Sequence, residues 1–334
     1  MKYIKPYQIF EANAAAPAAL TAEQIEWLDE CVDGSWTLNP QTGLIDVDGD
    51  FDYVDEGLTD LKGVKFGDVS GAFSCYRNRL TSLEGAPQTV GGGFYCNGNQ
   101  LTSLEGAPQS VDGDFDCERN ELTSLEGAPQ SVGGRFWCYS NRLTTLEGAP
   151  QSVGSDFDCN GNQLTTLVGA PQTVGGDFNC ENNQLTSLMG APQTVGGGFY
   201  CADNQLTSLE GAPQTVGGGF RCNDNQLTSL EGAPQRVGGS FVCHTNLLTS
   251  LEGAPQRVDG DFFCADNPVS GTTLKAIFAL MKNGKPYQQA LEKRWSKVKD
   301  VDRVLMYKQM TNLPPEETRK YNALATYANI KSYL

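Results

Sequence analysis

The stretch LTSLEGAPQTVGGGFYCNGNQ, residues 80–100, is one copy of a unit that the chain repeats without a slip. Cysteine stands every 21 residues from Cys75 through Cys264, ten times in succession. Two residues before each of these cysteines is a phenylalanine, from Phe73 to Phe262, and three residues after each is an asparagine, from Asn78 to Asn267. Two leucines follow, as in Leu101 and Leu104, and then Gly-Ala-Pro-Gln and a Val-Gly-Gly return. Self-similarity at such a period marks a solenoid, in which each unit buries its apolar face only against its neighbours. The length of 334 residues therefore describes one elongated array with ends rather than two globular domains.

Residue chemistry assigns the roles within a unit. Phe-x-Cys has period two, so both side chains point to one face of a short strand. The asparagine amide can donate and accept together, which suits it to backbone groups buried at a turn. The pattern Phe-x-Cys-x-x-Asn-x-Leu-x-x-Leu resembles the leucine-rich repeat, with Phe and Cys standing where two leucines usually stand. The 21-residue unit is similar to the short bacterial class of these repeats. Its LTSLEGAP…VGG-x-F-x-C-x-x-N form is most similar to leucine-rich repeat proteins of bacteriophages and some bacteria. The resemblance covers residues 47–268 and implies an α/β-type solenoid with one short parallel strand per 21-residue coil. A degenerate coil, Val47–Gly63, precedes the regular ones; it keeps Phe51, Leu58 and Leu61 but has Tyr53 for Cys and Glu56 for Asn. About eleven coils at ~4.8 Å per strand give a solenoid roughly 50 Å long.

Eleven cysteines, an odd number, do not suggest a disulfide framework. No C-x-x-C occurs and the one histidine, His244, provides no second ligand column, so metal binding fails on spacing. VGGDFDCNGN resembles calcium-binding β-roll sequence in composition, but those rolls need a nine-residue period. The ladder reads as small buried hydrophobes in a tight coil. Unpaired thiols suit a reducing compartment, and the start, MKYIKPYQIFEANAAAPAAL, has no uninterrupted apolar core of a secretory signal. The expected location is the cytoplasm, the host's if the chain is phage-encoded. No apolar run is long enough to span a bilayer.

Residues 1–46 read as an N-terminal cap. TAEQIEWLDECVDG predicts a helix with Thr21 as N-cap, Gln24 completing a capping box and Gly34 as its end, presenting Trp27, Leu28, Cys31 and Val32 to the first coil. SWTLNPQTGLIDV then predicts a hairpin. Residues 269–334 read as a helical cap or small domain, with Leu274, Ile277, Phe278 and Met281 at helical spacing.

Charge separates along the chain. The net −16 divides into −5 over residues 1–46, −18 over 47–267 and +7 over 268–334. The acidic balance argues against non-specific attraction to nucleic acid or anionic membrane. The basic tail carries no nucleic-acid-binding motif.

Invariant positions build the coil, so recognition falls to the variable strand positions beside Phe and Cys. The residues predicted to bind a partner are Tyr95, Asp116, Arg135, Trp137, Tyr139, Asp156, Asp158, Tyr200 and Arg221. Trp, Tyr and Arg dominate interface energetics. The acids form a rim that would steer a basic protein partner. The same charges also read as a cross-strand ladder that offsets repulsion between stacked acids; both readings stay open. A glycan-binding adhesin on a virion is the alternative, because aromatic, Asp and Asn side chains also suit sugars. Catalysis finds little support. His244 is a lone surface histidine beside Asp224 and Asp266, and no phosphate loop or hydrolase elbow is present. Some bacterial effectors with similar repeats carry a cysteine ubiquitin ligase domain after them, but no cysteine follows Cys264. No cofactor is expected.

Overall fold

The computed structural model describes residues 19–249, 251–264 and 266–268. The C-terminal helices expected beyond residue 269, and residues 1–18, lie outside the described residues. Within them the chain winds into a parallel solenoid whose coils repeat every 21 residues, a leucine-rich repeat solenoid in its geometry.

The N-terminal end begins with helix α1 (Ala22–Cys31). Thr21 and Gln24 form the expected capping box: the Gln24 N–H donates to the Thr21 hydroxyl at 3.2 Å and the Thr21 N–H donates to the Gln24 side chain at 2.9 Å. The apolar face holds Trp27, Leu28 and Cys31, all buried. Trp27 meets Phe51, Tyr53 and Phe66 edge-on at 5.4–6.5 Å between centroids, so the helix closes the open end of the aromatic core. The helix stops sooner than Gly34. Strand β1 (Val32–Leu38) follows at once and pairs antiparallel with β2 (Ile45–Asp52), which is the expected hairpin. Gly34 lies inside β1, directly across from Gly49, and both take φ of +140°. A Cβ on Gly34 would sit 2.1 Å from the Asp48 carbonyl oxygen, so this glycine serves a close approach of two strands rather than a helix end.

Strand β2 also starts the parallel array. It pairs with β3 (Phe66–Val69) and β4 (Phe73–Ser74), and from there each coil contributes two short strands rather than the single one foreseen. One is the Phe-x pair, in register from Phe51 to Phe262. The other is the Thr-Val, Ser-Val or Arg-Val pair just before the Gly-Gly corner, in register from Val69 to Val258. All twenty-two strands join in one sheet.

Three repeated columns hold the coils together. Phenylalanine rings stack from Phe51 to Phe262 with centroids 4.6–5.6 Å apart and planes within 6–27° of one another. Burying each such ring contributes up to about 3 kcal/mol. Leucines, valines and cysteines pack around the rings in one continuous core.

The asparagine column supplies the polar part. Each Asn Oδ1 accepts the backbone N–H of a leucine in the preceding coil at 2.9–3.0 Å. From Asn99 onward each Nδ2 donates to the carbonyl of the preceding coil's cysteine at 2.9–3.1 Å and to that of its own coil's cysteine at 3.0–3.3 Å. A single side chain thus satisfies groups in two coils, where an unpaired buried group would cost about 1–3 kcal/mol.

The cysteine column is apolar packing with a weak donor. All eleven cysteines are free thiols and buried. In four consecutive coils the Sγ–H points to the next coil's carbonyl, from Cys138 to Asp158 O at 3.4 Å through Cys201 to Arg221 O at 3.2 Å. Burial pushes the Cys75 and Cys264 thiols up to about 12 and the others of the ladder well above their usual range. Cys31 rises to about 11 through burial and the nearby Glu30 charge. The thiolate is the reactive species. Ellman's reagent at pH 8 is therefore expected to label essentially none of the eleven thiols in the native protein and all of them in guanidinium chloride. Rapid labelling of several thiols without denaturant would contradict this packing.

Candidate functional site

The Phe-x strands place one outward side chain per coil in a single row. Its members are register neighbours in the order Tyr95, Asp116, Trp137, Asp158, Asn179, Tyr200, Arg221. Of the nine predicted residues, Tyr95, Asp116, Trp137, Asp158, Tyr200 and Arg221 stand in this row. Arg135 and Asp156 lie one residue before Phe, and Tyr139 one residue after Cys. Arg135 touches the row at Trp137 and pairs with Asp156, and Tyr139 meets Arg119.

Their immediate contacts differ. The Arg135 guanidinium lies over Trp137, 5.3 Å from the ring centroid, and its Nε is 3.5 Å from Asp156 Oδ2. Arg221 lies over Tyr200 at 4.8 Å and Arg119 over Tyr139 at 5.9 Å. These half-buried rings thus already hold cations on their faces. The Tyr200 hydroxyl donates to Asp177 Oδ2 at 3.3 Å. Tyr95 and Tyr200 each fold back over the glycine two residues earlier. A Cβ on Gly93 or Gly198 would lie 2.4 Å from the phenol oxygen, so Gly-x-Tyr makes room for the ring to lie down.

The aspartates before Phe spend one oxygen on the fold. Asp114 Oδ1 accepts the Arg135 N–H at 2.7 Å and Asp156 Oδ1 accepts the Asp177 N–H at 2.8 Å. Asp177 accepts the Gly198 N–H at 2.6 Å in the same way. This column satisfies the corner of the following coil, while the second oxygens of Asp156 and Asp177 meet Arg135 and Tyr200. The ladder reading thus has a counterpart in these backbone hydrogen bonds.

Asp116 stands apart. It is 6% exposed although it occupies an outward position, with Tyr95 on one side and Trp137 on the other. Its Oδ1 accepts the Glu118 N–H at 3.0 Å. Desolvation raises its carboxyl from the ordinary 3.8 to about 7, with the Glu118 and Asp114 charges adding to the rise. The Glu118 N–H and the Arg119 charge pull the other way. Glu118 is 5% exposed, is raised by burial, and meets Arg119 at 3.3 Å. Asp158 is raised by burial too, against hydrogen bonds from Asn160 and Asn179. Burial also raises the Tyr95 phenol, seconded by the Asp114 and Asp116 charges.

His244 lies farther along the solenoid. Its Nδ1 is 3.0 Å from the Thr245 hydroxyl and 3.9 Å from Asp224 Oδ2. Among the described residues no three His, Cys, Asp or Glu side chains converge in a way that could hold a metal ion. No described helix is long and apolar enough to cross a membrane.

Two features escaped the sequence reading. The second strand column carried its own signal, the Thr-Val or Ser-Val pair recurring at the 21-residue period. The burial of Asp116 and Glu118, 6% and 5% exposed at outward positions, carried none.

No family model matches the chain, and no curated protein matches it. Among solved structures it is similar to YopM from Yersinia enterocolitica WA-314, at 18% identity and a TM-score of 0.41 over 65% of this chain. The chain spans about 56% of that structure's length. The class of molecule accordingly comes from this chain's own coil geometry, that of a leucine-rich repeat solenoid.

Proposed function

We propose that this chain is a non-enzymatic scaffold that binds a protein partner on its Phe-x strand face. The observation that carries the reading is the continuous row from Tyr95 to Arg221, in which aromatic rings and carboxylates alternate from Tyr95 to Asp158 and Tyr200 stands beside Arg221. Such a row offers aromatic and arginine anchors within a polar surround, the combination that dominates binding energy at protein interfaces. The acids favour a basic partner by steering its approach. The repeat form suggests a phage-encoded protein that acts in the host cytoplasm, and a host protein that it holds or inhibits.

The test is affinity capture from bacterial lysate with wild type and with the double variant Trp137→Ala, Tyr139→Ala. A partner recovered by wild type and reduced about tenfold or more by the variant is expected, since two aromatic anchors are removed. Equal recovery by both proteins would place the binding surface elsewhere. The alternative is a glycan-binding adhesin. The bonded cluster of Asp158, Asn160 and Asn179 beside Trp137 supplies the mixed donors and acceptors that a sugar needs. Saturable binding of a purified glycan, lost in the same variant, would favour that reading.

A further inference from the structure

We propose that Asp116, between Tyr95 and Trp137, is a socket for a single lysine side chain of a protein partner. The inference deepens the strand-face reading and rests on it for the nature of the partner. Three observations carry it.

The first is the state of the carboxylate. Asp116 is 94% removed from solvent as a residue, yet it faces outward. Its hydrogen bond to the Glu118 N–H engages Oδ1. Among the described residues no cation lies within salt-bridge distance of it, whereas Glu118 has Arg119 and Asp156 has Arg135. A desolvated carboxylate without a cation is costly, and an incoming ammonium would offset that cost.

The second is the flanking chemistry. Tyr95 and Trp137 bracket Asp116 as register neighbours. The phenylalanines beneath them are spaced 5.4 and 5.1 Å from coil to coil. The two flanking residues thus stand two coils apart, with Asp116 on the coil between them. Tyr95 lies back over Gly93 and Trp137 carries Arg135, so the flanks offer apolar ring surface to a lysine stem rather than open ring faces to its charge.

The third is selectivity for lysine over arginine. Arg135 already lies over Trp137, so a second planar guanidinium would find that stacking position occupied. A lysine needs only to deliver a compact charge at the end of an apolar stem. Because Asp116 is only 6% exposed, entry of the lysine requires the neighbouring side chains to move aside.

The experiment titrates full-length protein with the peptide acetyl-Ala-Lys-Ala-amide at physiological ionic strength and follows the Trp137 indole N–H by NMR, assigned with Trp137→Phe. The same peptide with acetylated lysine serves as the neutral control. A saturable shift with the lysine peptide is expected, absent with the neutral one. Binding should weaken about tenfold or more in Asp116→Asn and remain unchanged in Asp203→Asn, which removes an exposed charge of equal sign elsewhere. No saturable shift, or equal weakening by both variants, overturns the socket. Lysate capture with Asp116→Asn separates the two levels. A partner lost by the Trp137, Tyr139 double variant but kept by Asp116→Asn leaves the scaffold reading intact and removes the socket. A partner kept by both variants removes the strand-face reading itself.

Discussion

Replacing Asn162 with alanine is expected to destabilise the solenoid by about 3–6 kcal/mol, as several buried backbone groups lose their partners together at about 1–3 kcal/mol each. Oδ1 of Asn162 accepts the Leu143 N–H at 3.0 Å, and its Nδ2 reaches the Cys138, Cys159 and Asn160 carbonyls at 3.1, 3.0 and 3.3 Å. Alanine leaves all of these without the amide, at the junction of two coils. Asn162→Asp should also be costly, since a carboxylate accepts from Leu143 but donates to none of the carbonyls. Exposed Gln163→Ala, one residue away, should change stability by less than about 0.5 kcal/mol. Urea denaturation with a linear fit measures all three. Stability in a solenoid is close to a sum of neighbour terms, so a weakened central junction should also lower the m-value as the two halves uncouple. A midpoint unchanged by Asn162→Ala would overturn the role assigned to the column.

The second large effect runs in the opposite direction. Asp116→Asn is expected to make the protein more stable at pH 8. The folded-state carboxyl is raised from 3.8 to about 7, chiefly by desolvation. Between those values the folded chain holds a proton that the unfolded chain has released, so wild-type stability falls as pH climbs through that interval and levels off above it. The full span corresponds to about 4 kcal/mol, taken as an upper figure. Asparagine keeps an oxygen for the Glu118 N–H and carries no charge to desolvate. The variant's advantage should therefore be greatest at pH 8 and vanish below about pH 4. Paired denaturation curves at pH 4, 6 and 8 test this. A variant less stable than wild type at pH 8 would show that the ionised carboxylate is a stabilising partner in the fold. A residue whose removal helps the fold is one retained for another purpose, which links this measurement to the lysine socket.

The architecture was legible because every structural column repeats ten times. Period-two Phe-x-Cys, the asparagine after it and the paired leucines each point to one buried role, and the structure gives them those roles. The capping box at Thr21 and Gln24 was legible for the same kind of reason, a local rule carried by local residues. Gly34 was misread because glycine signals both a helix end and a close strand approach; the deciding partner, Gly49, is remote in sequence. The strand face was legible as a set of outward positions. Its electrostatics were not, because strand alternation marks Asp116 as outward but does not tell that the residue is 6% exposed. Nor could the sequence reading tell that Asp156 and Asp177 divide their oxygens between a backbone N–H of the next coil and a side chain of the strand face.

The asparagine column has a direction. Each Asn reaches back to the preceding coil, and the Leu143 N–H is met by an amide nineteen residues later in the chain. A coil leaving the ribosome is thus unfinished until the next one follows and supplies the amide that completes it. The order in which the residues are synthesised is also the order in which each coil's amide partner becomes available.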